Sequence, residues 1–160
     1  MAEEDREDLY AHFSDPAVTE FLDIDPLPNL EAAAKVISWA KNLRQSRSGV
    51  RWAIRNRDGA LVGTAGFNNI IRERASRGEI AFDVARAWWR KGVASEALAT
   101  LLRLGFGPLC LHRIEAMVTP GNAASCAFLE RQGFLLEGTL VEYAFWKDRY
   151  WDQHIYGLIA

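Results

Sequence analysis

The sequence predicts an α+β fold, a central mixed, mostly antiparallel sheet flanked by helices. Three observations carry this. In the first third, Ala33, Val36, Ile37, Ala40 and Leu43 recur three and four residues apart, the spacing of one helix face. From Val50 the period drops to two, with Val50, Trp52 and Ile54 alternating with Arg51, Ala53 and Arg55. The remaining segments then follow in the order β-β-β-α-β-α-β-β, which requires strands and helices layered together.

Taken in order, residues 3–13 read as a short helix closed by Ser14-Asp15-Pro16. Asn29 is a good N-cap for the next helix, which ends near Ser46–Gly49. After the strand from Val50, Asp58-Gly59 signals a two-residue hairpin, with its partner strand over Leu61–Phe67. A polar loop, Arg72–Arg77, leads to a strand at 79–84 with Ile80, Phe82 and Val84 on one face and Glu79, Ala81 and Asp83 on the other. From Val93, the stripe Ala94, Ala97, Leu98, Leu101 and Leu104 predicts a helix, stopped by Gly105, Gly107 and Pro108. Arg113–Val118 is a strand. Pro120-Gly121 turns into a helix over Asn122–Gln132 with Gly133 as its C′ residue. The tail, Phe134–Ile159, is aromatic and β-rich and breaks at Lys147-Asp148.

The chain has 160 residues, enough for one domain with a real core, and no repeat or linker divides it. A net charge of −2 gives no reason for general attraction to nucleic acid or membrane. No apolar run approaches the ~20 residues that span a bilayer. The acidic opening MAEEDREDLY lacks the regions of a signal peptide, so the expectation is a cytoplasmic protein. Cys110 and Cys126 are too few for a disulfide framework, and with His112 and His154 they lack metal-ligand spacing, so no metal is expected.

The stretch ARAWWRKGVASEA, residues 85–97, is the most informative. A strand delivers the chain through a basic loop to a helix N-terminus, where unpaired amides and the helix dipole favour an anion. Gly92 lets a bulky group approach the backbone, while Arg90 and Lys91 add charge. The other reading is a capped helix with a basic entry loop. Neither G-x-x-x-x-G-K-[ST] nor G-x-G-x-x-G is present, so nucleotide-hydrolase and dinucleotide loops are excluded on spacing.

WWRKGVASEAL resembles the acyl-CoA pyrophosphate loop of the GNAT acetyltransferases, Gln/Arg-x-x-Gly-x-Gly/Ala, with Gly92 and Ala94 in register and Trp89 at the Gln/Arg position. That departure is typical of the RimJ/RimL-like branch, the ribosomal-protein N-terminal acetyltransferases. RIEAMVTPGNAASCAFLERQGF and LEGTLVEYAFWKDRYWDQHIYGLI resemble the same branch, through Asn122, Ser125, Glu130, Gly133-Phe134 and the Tyr150-x-Asp152 pair. The similarity spans roughly residues 5–159. Chains of this family normally open with a strand carrying R-L-x-L-R-P, which is missing here.

The resemblance implies the GNAT fold and an N-acetyltransferase that takes acetyl-CoA as co-substrate. Its acceptor, a protein N-terminal α-amine or a small amine, would attack the thioester directly in a ternary complex. It places the pyrophosphate on Arg90, Lys91, Gly92, Val93, Ala94 and Ser95, and the pantetheine along the backbone of Phe82, Asp83 and Val84, beside a splay between strands. Asn122 and Ser125 would contact the cofactor from the second helix. The tyrosine that many members use as general acid is replaced by Leu129, and Ser125 fits the serine of the RimL-like branch; its alternative is a small polar residue in a first helical turn. Glu79, off the apolar face of its strand, is the candidate base, directly or through water; its alternative is a strand glutamate paired with an arginine. Cys126 reads as a core cysteine and Glu96 as support for a first turn. A silent acyl-CoA-binding module is the alternative function. The absent first strand leaves a sheet edge that a homodimer would cover, with the Trp- and Tyr-rich tail as contact surface.

Overall fold

The computed structural model describes all residues, 1–160. After a 3-10 turn at Glu3–Asp5 come helices α1 (Arg6–Phe13), α2 (Pro16–Thr19) and α3 (Leu30–Gln45). Strands β1 (Val50–Arg55), β2 (Leu61–Ile71) and β3 (Arg77–Val84) follow, then α4 (Val93–Phe106), β4 (Arg113–Val118), α5 (Ala123–Arg131), β5 (Leu135–Trp146) and β6 (Arg149–Ile159). They form one open six-stranded sheet in the order β1-β2-β3-β4-β6-β5. Only β3 and β4 run parallel, because α4 carries the chain back between them. The expected mixed, mostly antiparallel sheet is the one observed.

The two faces of the sheet bury different clusters. Beneath α4 and α5, Phe67, Ile80, Leu98, Leu101, Ile114, Leu129, Phe134 and Tyr156 form the main core. On the other face, Leu9, Phe13, Ala33 and Ile37 of α1 and α3 pack with Leu61. Gly105 is fixed by close approach, since a Cβ there would lie 2.6 Å from the Ile114 side chain.

Several local expectations are corrected. The helical reading of 3–13 resolves into the 3-10 turn and α1. Asp15-Pro16 starts a helix as well as ending one: Asp15 accepts a hydrogen bond from the Ala17 amide and Pro16 is the first residue of α2. The Asp58-Gly59 turn is wider than two residues. The Asn56 side chain accepts from the amides of Asp58 and Ala60, at 3.0 and 2.9 Å, and makes the loop 56–60 its own Asx-type turn. β2 runs on to Ile71 and β3 begins at Arg77, because a register shift at Asn68 keeps Ile70 and Ile71 paired with Gly78 and Arg77. No strand precedes β1, which forms the sheet edge.

The β5–β6 turn does break at Lys147-Asp148, both left-handed (φ 50 and 56), as a tight hairpin of primed type requires. The Lys147 amine donates to the carbonyl oxygens of Thr19 (2.7 Å) and Glu20 (3.2 Å), so the hairpin tip holds the end of α2.

Candidate active site

β3 and β4 stay paired only from Arg77↔Arg113 to Ile80↔Ala116. β4 pairs with β6 along its whole length, Arg113–Val118, while residues 81–84 of β3 keep β2 as their one neighbour. The backbone of this segment is therefore open on the side facing the gap. The splay expected beside Phe82–Val84 is present.

The gap opens into a cleft of about 730 Å³, lined by Phe82, Asp83, Val84, Arg90, Gly92, Val93, Ala94, Ser95 and Asn122. Nine of the expected cofactor positions thus share one cavity. Arg90 (φ 59) and Gly92 (φ 81) are both left-handed, and they fold the loop onto the start of α4. Its first internal bond is Glu96 N–H to the Gly92 carbonyl, at 3.0 Å. The amides of Val93, Ala94 and Ser95 therefore lack helical partners. A Cβ at Gly92 would meet no protein atom within 4 Å, so the space in front of these amides is open.

The two tryptophans brace this loop. Trp89 Nε1 donates to the Val84 carbonyl at 2.6 Å, tying loop to strand. Trp88 carries the Lys91 ammonium 5.2 Å from its ring centroid. Two expectations change as a result. Lys91 faces a separate groove between β1 and α4, so only its backbone stays with the loop. The Val84 carbonyl is already engaged, which leaves Phe82 as the free backbone of the segment's centre.

A smaller cavity of about 270 Å³ adjoins the cleft and contains Glu79, Ser125, Asn68, Asp23, Tyr143 and Gln153. Phe21, Leu22, Phe82 and Asn122 line both spaces. Ser125 belongs to this second cavity and not to the cofactor cleft. Asn122 caps α5, its side-chain oxygen accepting from the Ser125 amide at 3.1 Å, which leaves its NH₂ group for a ligand. Leu129 is fully buried, and its apolar side chain contributes to the wall of the smaller cavity, where it offers no acid.

Glu79 is half-buried and is not paired with an arginine, so the salt-bridge alternative does not apply. Arg77 and Arg113 instead bind Glu115, its neighbour across the parallel ladder, at 2.9 and 2.6 Å. Burial first, then the charges of Glu115 and Asp23, push the Glu79 carboxyl above its ordinary value, with Arg77 opposing. Asp83 differs: its side chain turns away from the cleft into the protein, and only its backbone lines the cofactor space.

Four contributions escaped sequence reasoning. Arg131 on α5 adds a second guanidinium to the cofactor cleft, and Ala17–Leu22 builds its far wall. Asp23 and Tyr143 reach the smaller cavity from segments more than fifty residues from Glu79 in the chain. None carries a local motif, so no sequence signal marks them.

The acetyltransferase (GNAT) domain family matches residues 1–135 of the chain. The N-acetyltransferase YoaA of Bacillus subtilis (strain 168) is 32% identical over 99% of this chain and 90% of its own. The [ribosomal protein uS5]-alanine N-acetyltransferase of Escherichia coli (strain K12) is 30% identical over 59% of this chain and 48% of its own. Mycobacterium smegmatis RimJ, solved with CoA-disulfide, superposes with a TM-score of 0.90 at 23% identity, covering 100% of this chain and 79% of that one. The chain belongs to the GNAT family of acetyltransferases.

Proposed function

We propose that the protein transfers the acetyl group of acetyl-CoA to a primary amine by direct attack in a ternary complex. The observation that carries this reading is the meeting of two unlike cavities at the β3–β4 splay. One is basic and lined by a helix N-terminus; the other holds an unpaired carboxylate. The first suits an anionic diphosphate with a thin arm, the second an amine.

The residues present fit acetyl-CoA. The open amides of Val93–Ser95 with Arg90 and Arg131 hold the pyrophosphate, and the one-sided segment 81–84 offers its backbone to the pantetheine. Acetyl-CoA supplies an activated thioester. Glu79 takes the acceptor's proton, directly or through water, and its raised pKa brings it nearer to neutral pH, where a base works best. Ser125, which lines the same small cavity as Glu79, assists the leaving thiolate. The acceptor is a protein N-terminal α-amine or a small amine; the E. coli relative is named for an alanine of ribosomal protein uS5, which supports the first.

We also infer a homodimer formed through the tail. Val141, Tyr143 and Phe145 on the edge strand β5, with Tyr150 on β6, are all more than half exposed, a surface that a second copy would cover. A monomer in sedimentation at high concentration contradicts this. No helix is long and apolar enough to cross a bilayer.

The test of the cofactor assignment is Gly92→Val. The substitution strains a left-handed position and fills space that only a ligand would use. Calorimetry should show acetyl-CoA binding to the wild type and none to a folded Gly92→Val. Equal affinity refutes the assignment.

A further inference from the structure

Beneath the one-sided segment of β3 lies a buried polar network that the transfer reaction does not use. Asp83 is 7% exposed and its carboxylate has four partners. Oδ1 accepts from His12 Nε2 (2.6 Å) and the Thr64 amide (3.0 Å); Oδ2 accepts from Arg51 Nη2 (2.5 Å) and the Thr64 hydroxyl (2.7 Å). Arg51 continues through Nε to Thr64 Oγ1 (2.9 Å) and through Nη1 to the Ala81 carbonyl (2.8 Å) and Asn68 Oδ1 (3.2 Å). One cluster therefore ties α1, β1 and β2 to residues 81 and 83 of β3.

Its placement coincides with the strand's loss of support. Residues 77–80 are held on both sides by β2 and β4, whereas 81–84 have lost β4. The network grips that length and no other part of β3. It also draws in α1 through His12, and α1 leads directly into the Ala17–Leu22 wall of the cleft.

Stability alone does not account for such a cluster. A buried ion pair is commonly matched or exceeded by apolar residues of similar volume. This one further leaves His12 Nδ1 buried without a partner. Because the ionised Asp83 only accepts, His12 donates through Nε2, and Nδ1 is left sealed in the interior with no partner.

We propose that Arg51, Asp83, Thr64 and His12 are positioning residues for the acyl-CoA: they fix the backbone of residues 81–84, paired on one side only, and the α1–α2 wall opposite, in the geometry that receives the pantetheine arm. The inference rests on the acetyl-CoA reading of the cleft. It assigns these side chains an effect on ligand affinity without contact with the ligand.

The test is calorimetric titration with acetyl-CoA, which returns both stoichiometry and Kd. A purely structural role lowers the fraction of competent protein and leaves the Kd of the folded remainder unchanged. Thr64→Val removes one hydroxyl at the centre of the network and should weaken Kd at least ~5-fold with stoichiometry retained, as small backbone displacements do in positioned sites. The paired variant Arg51→Met/Asp83→Leu removes both charges together and should melt at or near the wild-type temperature while binding at least ~10-fold more weakly. Amide hydrogen exchange should quicken at residues 81–84 in both. Wild-type Kd in Thr64→Val at full stoichiometry overturns the proposal, whether or not the paired variant folds. Failure of the wild type itself to bind acetyl-CoA overturns instead the reading of the cleft.

Discussion

Glu79 and Asp83 lie four residues apart on one face of β3, and their surroundings drive their acidities in opposite directions. For Asp83, burial alone would raise the carboxyl. Arg51, the His12 hydrogen bond and charge, and the Thr64 hydroxyl outweigh that and hold it below its ordinary value of 3.8. For Glu79, burial also raises the carboxyl, and the charges of Glu115 and Asp23 add to it, with Arg77 only partly opposing. The arginines nearest Glu79 are committed to Glu115. A carboxylate given every partner becomes a fixed charge; one denied them becomes a group that can trade protons. The same strand thus carries a brace and a candidate base, and the splay after Ile80 separates them.

The largest expected effect comes from breaking the brace. A depressed carboxyl adds stability above its unfolded pKa, and that stability is lost as pH falls through the folded value. Asp83→Asn leaves Arg51 buried without its counter-charge and should cost about 3 to 5 kcal/mol at neutral pH. Urea unfolding across a pH series should show the deficit shrinking below 3.8. A deficit independent of pH would mean that Asp83 acts by shape rather than charge.

The opposite sign is expected at Glu79, with a smaller size. A raised carboxyl adds stability below its ordinary 4.5, and that contribution disappears as pH rises through the folded value. At neutral pH the charged form is therefore a burden, and Glu79→Gln should raise Tm by about 1 to 3 °C. The gain should vanish in acid below 4.5. Loss of Tm at neutral pH would show that Glu79 has a stabilising partner after all.

Much of this architecture was legible in the chain. The period change at Val50, the Asn29 and Asn122 caps and the Lys147-Asp148 turn all reflect local chemistry, and each appears where that chemistry puts it. The helix-entry loop was legible too, since Gly92 takes the left-handed conformation that leads the chain into α4. Lys91 was misjudged because its direction depends on the Trp88 ring, a tertiary contact. Asp83 looked like one more cofactor-strand residue. Its partners sit 71, 32 and 19 residues away, distances that no spacing rule reaches. Asp23 and Tyr143 were hidden for the same reason. The bulge at Asn68, which lengthens β2, depends on pairing with β3 rather than on any turn residue.

The central claim is that Glu79 takes the proton while Ser125 has a lesser part. It is tested most directly by the turnover of Glu79→Gln with an amine acceptor, measured from about pH 6 to about pH 9 beside Ser125→Ala. A positioned base contributes ~10² to 10⁴ in rate, so Glu79→Gln should lose at least ~10² at neutral pH and recover in part as free amine accumulates at higher pH. Ser125→Ala should lose less, with acetyl-CoA affinity retained. Wild-type turnover by Glu79→Gln throughout that range would contradict the account and leave Glu79 a structural residue.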